Sequence, residues 1–199
     1  MITSVPENAN PIAELFFKTA NVGEAIEPRF VGRAASFACG AAIRISLHID
    51  DSQRITEAKF QAAGCSILVA AAALLTSQVN GKKTSEAARV GQDLAALKRK
   101  LGTLPAERKV CLELACEALL GAIGNYSDSV RDDWEGDEAL ICTCFCVSER
   151  TIEHEVQTAG LTTIAAVTAA CSAGGGCRSC YPLIQDILDD CERSKWLRQ

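Results

Sequence analysis

The chain has 199 residues, 11 cysteines and a formal net charge of −5. With a pI near 5.1 and few aromatic residues it offers no basic stripe to a phosphate backbone, which argues against a nucleic-acid partner. The N-terminal stretch MITSVPENANPIAELFF lacks the basic and long apolar regions of a signal peptide, and no run of about 18 apolar residues is present, so neither a leader nor a membrane span is expected. The expected setting is a reducing cytoplasm, where clustered cysteines point to metal or redox chemistry rather than to structural bridges.

In chain order, residues 41–50 (AAIRISLHID) and 53–61 (QRITEAKFQ) alternate apolar and polar positions around Asp50-Asp51-Ser52, the pattern of an antiparallel hairpin. The uniformly apolar SILVAAAALLTSQV, Ser66–Val79, predicts a helix buried on most sides and ended by Asn80-Gly81. Thr84-Ser85-Glu86 opens a short helix, GQDLAALKRKL gives another, and Leu104-Pro105-Ala106-Glu107 begins a longer one to about Asn125. This half is α+β. Residues 126–138, YSDSVRDDWEGDE, hold six acids against one Arg and read as a solvated linker. Three short helices are expected beyond it, over 148–157, 162–170 and 182–193, the first two separated by Gly160. A unit of that size buries little apolar surface and needs a staple. The expected partition is 1–126, a linker at 127–138, and a small all-α unit at 139–199.

Two close cysteine pairs, Cys142-Thr-Cys144 and Cys177-Arg-Ser-Cys180, fall in the second unit, the latter approached through Gly174-Gly175-Gly176. Glycine leaves a backbone free for a tight turn or a close approach. Four thiolates without histidine suit an iron–sulfur cluster or tetrahedral zinc. A C-x-C pair departs from the usual C-x2-C zinc spacing, so the residues alone order the readings as iron–sulfur, zinc, then a redox dithiol or plain buried cysteines.

The stretch ALICTCFCVSERTIEHEV, then LTTIAAV, then AGGGCRSCYPLIQDIL resembles the bacterioferritin-associated-ferredoxin type of domain found in the middle of NifU proteins. The resemblance implies a 2Fe-2S cluster held permanently by Cys142, Cys144, Cys177 and Cys180. Residues 29–126 resemble the NifU/IscU cluster scaffold, with Ala38-Cys39-Gly40 placed before the first strand, Gly64-Cys65 before the apolar helix and Cys111 after Leu104-Pro105. It implies that Cys39, Cys65 and Cys111 take sulfur from a cysteine desulfurase, hold a transient iron–sulfur cluster and deliver it to apo-proteins. Three thiolates leave a coordination position open for exchange. Such scaffolds pair in some settings, so a homodimer is a plausible expectation by analogy. No third, C-terminal domain with its own C-x2-C pair is recognisable, so the chain resembles a shortened, two-domain member.

Departures from the family pattern are specific. Ala41 stands where an Asp follows the first Cys-Gly, and Val110 where a His precedes the third cysteine. Arg108 replaces the usual Lys, and Ser66-Ile67 the usual Gly-Ser. A thiol-only, more apolar site is expected, which raises thiol pKa values. Cys116, five residues after Cys111 and about 140° round the helix, reads as packing, as do Cys146 and Cys171. Cys191 has no motif partner, and His48 and His154 read as solvent-facing. The leading reading is a non-enzymatic assembly scaffold. The alternative is a 2Fe-2S electron-transfer module whose first domain is a degenerate docking platform.

Overall fold

The computed structural model describes residues 11–17, 20–27, 29–136 and 138–196. The remainder of the N-terminal stretch, the last three residues and position 137 of the acidic segment lie outside the described residues. The element order is α1 (Pro11–Phe17), β1 (Phe30–Ser36), β2 (Ala41–Ile49), β3 (Ile55–Ala63), α2 (Ser66–Val79), α3 (Thr84–Gln92), α4 (Leu94–Leu101), a 3₁₀ turn (Ala106–Arg108) and α5 (Lys109–Asp132). There follow β4 (Leu140–Cys142), β5 (Val147–Ser148), α6 (Glu149–Ala159), α7 (Ile164–Cys171) and α8 (Tyr181–Trp196).

Strands β1, β2 and β3 form an antiparallel meander, with Ala34 opposite Ile43 and Ile45 opposite Phe60. Alternation buries Ile43, Ile45, Leu47 and Ile49 on one face of β2, as its pattern predicts. The predicted hairpin is therefore β2–β3, but it is flanked by a strand that the sequence reading omits. Cys39 consequently lies in the tight turn between β1 and β2, not ahead of the first strand.

Helix α2 has the predicted limits, and its mostly buried Leu68, Ala70, Ala71, Ala72 and Leu75 explain its near-uniform apolarity. It packs between β3 and α5. Helices α4, α6 and α7 begin on side-chain caps: Asp93, Ser148 and Thr163 accept from the backbone N–H groups of Ala96, Thr151 and Ala166. Gly160 closes α6 in the left-handed conformation. Helix α5 runs well past Asn125, so the acidic segment read as a linker is helical as far as Asp132. Tyr126 packs edge-on to Phe30 with ring centroids 5.0 Å apart, and Ser127 is buried, which supplies the packing that propensity alone did not suggest.

Buried residues of α6 to α8, among them Ile152, Val156, Val167 and Ile184, belong to one hydrophobic cluster continuous with the sheet and α5 through Phe145 and Val147. The second unit thus shares a core with the first. No helix among the described residues is long and apolar enough to cross a membrane.

The sheet meets α5 at a contact that excludes side chains. A Cβ on Gly32 would sit 1.9 Å from the Ala118 carbonyl oxygen and 2.3 Å from the Ala122 nitrogen, and one on Gly121 would meet the Gly32 Cα at 3.4 Å. Gly124, on the same helix, has nothing within 4 Å of its missing Cβ. Gly32→Ala is expected to lower stability by about 3 kcal/mol or to block folding. Gly124→Ala should raise stability by about 0.5–1 kcal/mol through helix propensity. Denaturant titration of the two variants, followed by circular dichroism, checks the contrast.

Candidate metal centres

Two groups of thiols emerge, at opposite ends of α5. At the first, Cys65 occupies the N-cap position of α2 and Cys111 the first turn of α5, so both helices begin at one edge of the fold and bring their sulfurs to 3.3 Å. Cys39 approaches them from the exposed β1–β2 turn, near enough to raise the Cys111 thiol and to feel Cys65 electrostatically. The three predicted thiols are therefore neighbours, although up to 72 positions separate Cys39 from Cys111.

The electrostatics of this group differ from the apolar, uniformly raised site that the sequence suggested. The Cys39 thiol is lowered by hydrogen bonds from Ser36 and the Ala41 N–H, helped by the Arg108 guanidinium. Burial opposes ionisation of Cys65, yet the Leu68 and Ile67 N–H groups at the start of α2, Cys111 and Arg108 together bring its pKa below the usual thiol value. Cys111, at 1% exposure, is pushed up to about 11 by burial and by its thiol neighbours. Ala41 is buried at the start of β2, in contact range of Gly64 beside Cys65, and Val110 is half-buried next to Cys111. Among the described residues no three His, Cys, Asp or Glu side chains gather closely enough to hold an ion, so the three thiols are neighbours that do not converge on one point and no carboxylate or imidazole completes a site with them.

At the second group, β4 and β5 form a short hairpin whose turn carries Cys144 and Cys146, while the loop between α7 and α8 carries Cys177 and Cys180. The sulfurs pair across the two loops. Cys144 Sγ lies 3.4 Å from Cys177 Sγ, and Cys180 is hydrogen-bonded to Cys142. Cys142 and Cys180 are buried, Cys144 is half-buried and Cys177 is exposed. Cys177 is lowered to about 7 by the Ser179 hydroxyl and backbone N–H and by Cys144. Burial pushes Cys180 up to about 11 and also raises Cys144.

The donor set has the chemistry of a cluster site more than that of a single-ion site. Among the described residues no three His, Cys, Asp or Glu side chains gather round one ion-sized point. Cys144 and Cys177 lie near the spacing of about 3.8 Å that two sulfurs take on one tetrahedral metal, and with the hydrogen-bonded Cys142 and Cys180 they make two thiol pairs, the number a binuclear centre with two thiolates per metal needs. A dithiol oxidoreductase would set Cys177 against Cys180, and the structure pairs each with a cysteine of the other loop. An open groove of about 370 Å³ borders Cys144 and Cys177 and is lined also by Ala88, Leu120, Gly124 and Arg131. A larger hollow, about 610 Å³, lies on the outer face of the sheet over Ala35, Ala42 and Ala63 and holds no thiol.

The remaining cysteines separate from both groups. Cys116, Cys171 and Cys191 are buried in the core, and burial pushes Cys116 up to about 11. Cys171 donates to the Val167 carbonyl of its own helix. Cys146 differs from the packing role expected of it: it is half-buried at positive φ, and its thiol donates to the Ser127 carbonyl at 3.2 Å. His154 is exposed and His48 half-buried on β2, and neither joins a thiol group. The sequence reading missed Arg108 as a cation serving all three first-group thiols, since it was noticed only as a replacement for Lys.

Comparison with known proteins agrees with this geometry. Residues 7–132 match the NifU-like N-terminal domain and residues 140–190 the BFD-like [2Fe-2S] binding domain. A nitrogen fixation protein NifU of Trichormus azollae is 36% identical over 195 residues, covering 92% of this chain and 64% of that protein, so the chain spans just under two-thirds of this relative's length. An iron–sulfur cluster assembly scaffold protein IscU of Archaeoglobus fulgidus is 31% identical over 118 residues, 59% of this chain and 75% of that one. The crystal structure of the N-terminal part of a NifU-like protein from Brucella abortus shares the fold of the first unit, with a TM-score of 0.50 at 18% identity over 60% of this chain and 94% of its own. An antiparallel sheet backed by α2 and α5, three thiols at one edge and a paired four-thiol loop system thus place this chain in the NifU-like N-terminal domain family, with a BFD-like 2Fe-2S binding domain following it.

Proposed function

We propose that the chain is a non-enzymatic iron–sulfur cluster assembly scaffold whose second unit keeps a resident 2Fe-2S cluster. In this reading Cys142 and Cys180 hold one iron and Cys144 and Cys177 the other. Cys39, Cys65 and Cys111 receive sulfur from a cysteine desulfurase, gather iron and release the finished cluster to apo-proteins. The cross-loop pairing of the four second-unit thiols carries the reading, because two pairs of sulfurs suit two irons.

The residues of the first group support distinct roles. Cys39, exposed on a turn and biased towards thiolate, is suited to attack the outer sulfur of a desulfurase persulfide. Its sulfur forms the new S–S bond as the old one breaks, and the desulfurase thiolate leaves. Cys65 is already favoured as thiolate beside the N–H groups of α2. Cys111 holds its proton until a metal displaces it, so loading at this position releases a proton. The open fourth position lets the cargo cluster leave. At the second group the resident cluster would supply one-electron transfer, while the chain's own residues hold the thiols in pairs and leave the Cys144–Cys177 side facing the groove.

A second reading is favoured by Ala41 and Val110: without the carboxylate and imidazole of the family pattern, the first unit would serve only as a docking platform for an electron-transfer domain.

Protein purified without oxygen is expected to hold about two irons and two acid-labile sulfides per chain, lost in a Cys177→Ala/Cys180→Ala variant. Zinc alone, or a folded protein without metal, overturns the cluster reading. With free cysteine and a desulfurase, additional sulfur should load onto the wild type and fail to load onto a Cys39→Ser/Cys65→Ser/Cys111→Ser variant. Equal loading in both leaves the docking-platform reading. In metal-free protein, the thiolate of Cys177 forms as pH rises through about 7, while Cys180 stays protonated until about 11. Iodoacetamide should therefore label Cys177 first, with a rate that climbs through neutral pH and levels above it, and Ser179→Ala should shift that inflection upwards. Peptide mass spectrometry of timed samples reads both effects.

A further inference from the structure

The two loops that carry the second thiol group are gripped by residues of the first unit. Ser127 Oγ, on α5, donates to the carbonyl of Cys144 at 2.8 Å, and Arg131 one turn later donates to that of Thr143 at 3.1 Å. Gln53 Nε2, from the β2–β3 turn, donates to the Phe145 carbonyl at 3.2 Å. Every carbonyl of the Thr143-Cys144-Phe145 run is thus bonded by a side chain from a different part of the chain. The other loop is held where it leaves α7, from α3 and its N-cap: Lys83 Nζ donates to the Ala170 carbonyl in the last turn of α7, and Ser85 Oγ bonds Oγ of the C-cap Ser172 at 3.0 Å, both serines being fully buried.

Steric fit matches the polar fit. A Cβ on Gly175 would meet the Ser85 Cβ at 2.6 Å, and one on Gly176 would meet the Cys144 Cβ at 2.8 Å and its Sγ at 2.9 Å. The triple glycine therefore lets its loop lie flat against α3 on one side and against the facing cysteine loop on the other. Phe145 fills the space between, buried to 3% exposure and within 3.3 Å of where either Cβ would stand.

We propose that Gln53, Lys83, Ser85, Ser127 and Arg131 form a clasp by which the NifU-like unit sets the spacing of the two cysteine loops, making it a structural part of the 2Fe-2S centre. These are positioning residues: Gln53, Ser127 and Arg131 bond the backbone of one loop, Lys83 the last turn of α7 and Ser85 the Ser172 hydroxyl, and none of these bonds reaches Cys142, Cys144, Cys177 or Cys180 through a thiol. The proposal rests on the reading that Cys142, Cys144, Cys177 and Cys180 are the cluster ligands. Partners in this outer layer fix ligand orientation, and losing them typically costs 10-fold to 100-fold in metal affinity. Because the loops are anchored to α3 and α5, the grip exists before any cluster is bound.

The test uses the full chain in two states. In the cluster-loaded protein, Ser127→Ala, Lys83→Met/Ser127→Ala and Gly175→Ala should lose iron to a chelator faster than wild type, by about 10-fold for the last two. Ser85→Ala, which removes the hydroxyl bonded to Ser172 and keeps the Cβ, should also lose iron faster than wild type. In metal-free protein, the same variants should speed amide hydrogen exchange in peptides covering 143–146 and 172–177 while leaving α6 unchanged. Ser127→Ala only removes an atom, so it reports even where Gly175→Ala does not fold. Wild-type release and exchange rates in every variant overturn the clasp. Absence of iron and sulfide from wild type, with exchange still altered, overturns the ligand assignment instead.

Discussion

The contact between β1 and α5 governs the placement of everything else. With Gly32 and Gly121 facing each other, strand and helix approach at backbone distance, and a helix of 24 residues is laid across the sheet without side chains to hold it off. Its N-terminal turn then brings Cys111 to the edge where α2 starts, against Cys65. Its C-terminal half delivers Ser127 and Arg131 to the loops of the second unit. A shift of one ångström at the crossing would separate the first thiol pair and disengage the second set of loops together, since interiors at crystal-like density transmit strain rather than absorb it.

Both thiol groups use helix beginnings in the same way. Cys65 precedes the first turn of α2, Cys111 sits in the first turn of α5, and Cys180 directly precedes α8. At a helix start the unpaired N–H groups and the axial dipole favour negative charge. At Cys65 that contribution, with Cys111 and Arg108, outweighs burial; at Cys111 and Cys180 burial and neighbouring thiols win, and the proton stays. Each group therefore combines sulfur that ionises readily with sulfur that ionises on metal binding. The third thiol of the first group, Cys39, stands on an exposed turn, apart from the buried Cys111 and half-buried Cys65.

How far the sequence discloses this architecture depends on where each element draws its stability. Helix α2 was legible to its ends because apolar composition and Asn80-Gly81 both act locally. The β2–β3 hairpin and the break at Gly160 are local for the same reason. Strand β1, FVGRAAS, was invisible because its small residues and its glycine answer to α5, far along the chain. Residues 126–132 carry charges that suggest a linker, and only Tyr126 on Phe30 and buried Ser127 reveal the helix. The four cysteines of the second group were legible from spacing, yet their pairing across loops was not, since spacing says nothing about which loop faces which. The polar residues of the clasp come from three separated elements and have no motif at all.

The length of α5 also limits what the second centre does for the first. From Cys111 to Ser127 the helix rises about 24 Å, so within one chain no ligand can be shared and no cluster passed between the two groups. What α5 transmits over that length is position. Loops anchored on α3 and α5 restrain the helices that also bear the first group, and a small unit that shares its core with the scaffold need not rely on metal alone to stay folded. A cluster bound between those loops would tighten the same helices from the far end, because a ligand that binds only the ordered arrangement stabilises that arrangement. The edge that carries Cys39, Cys65 and Cys111 would then draw rigidity from the loops at the far end of α5.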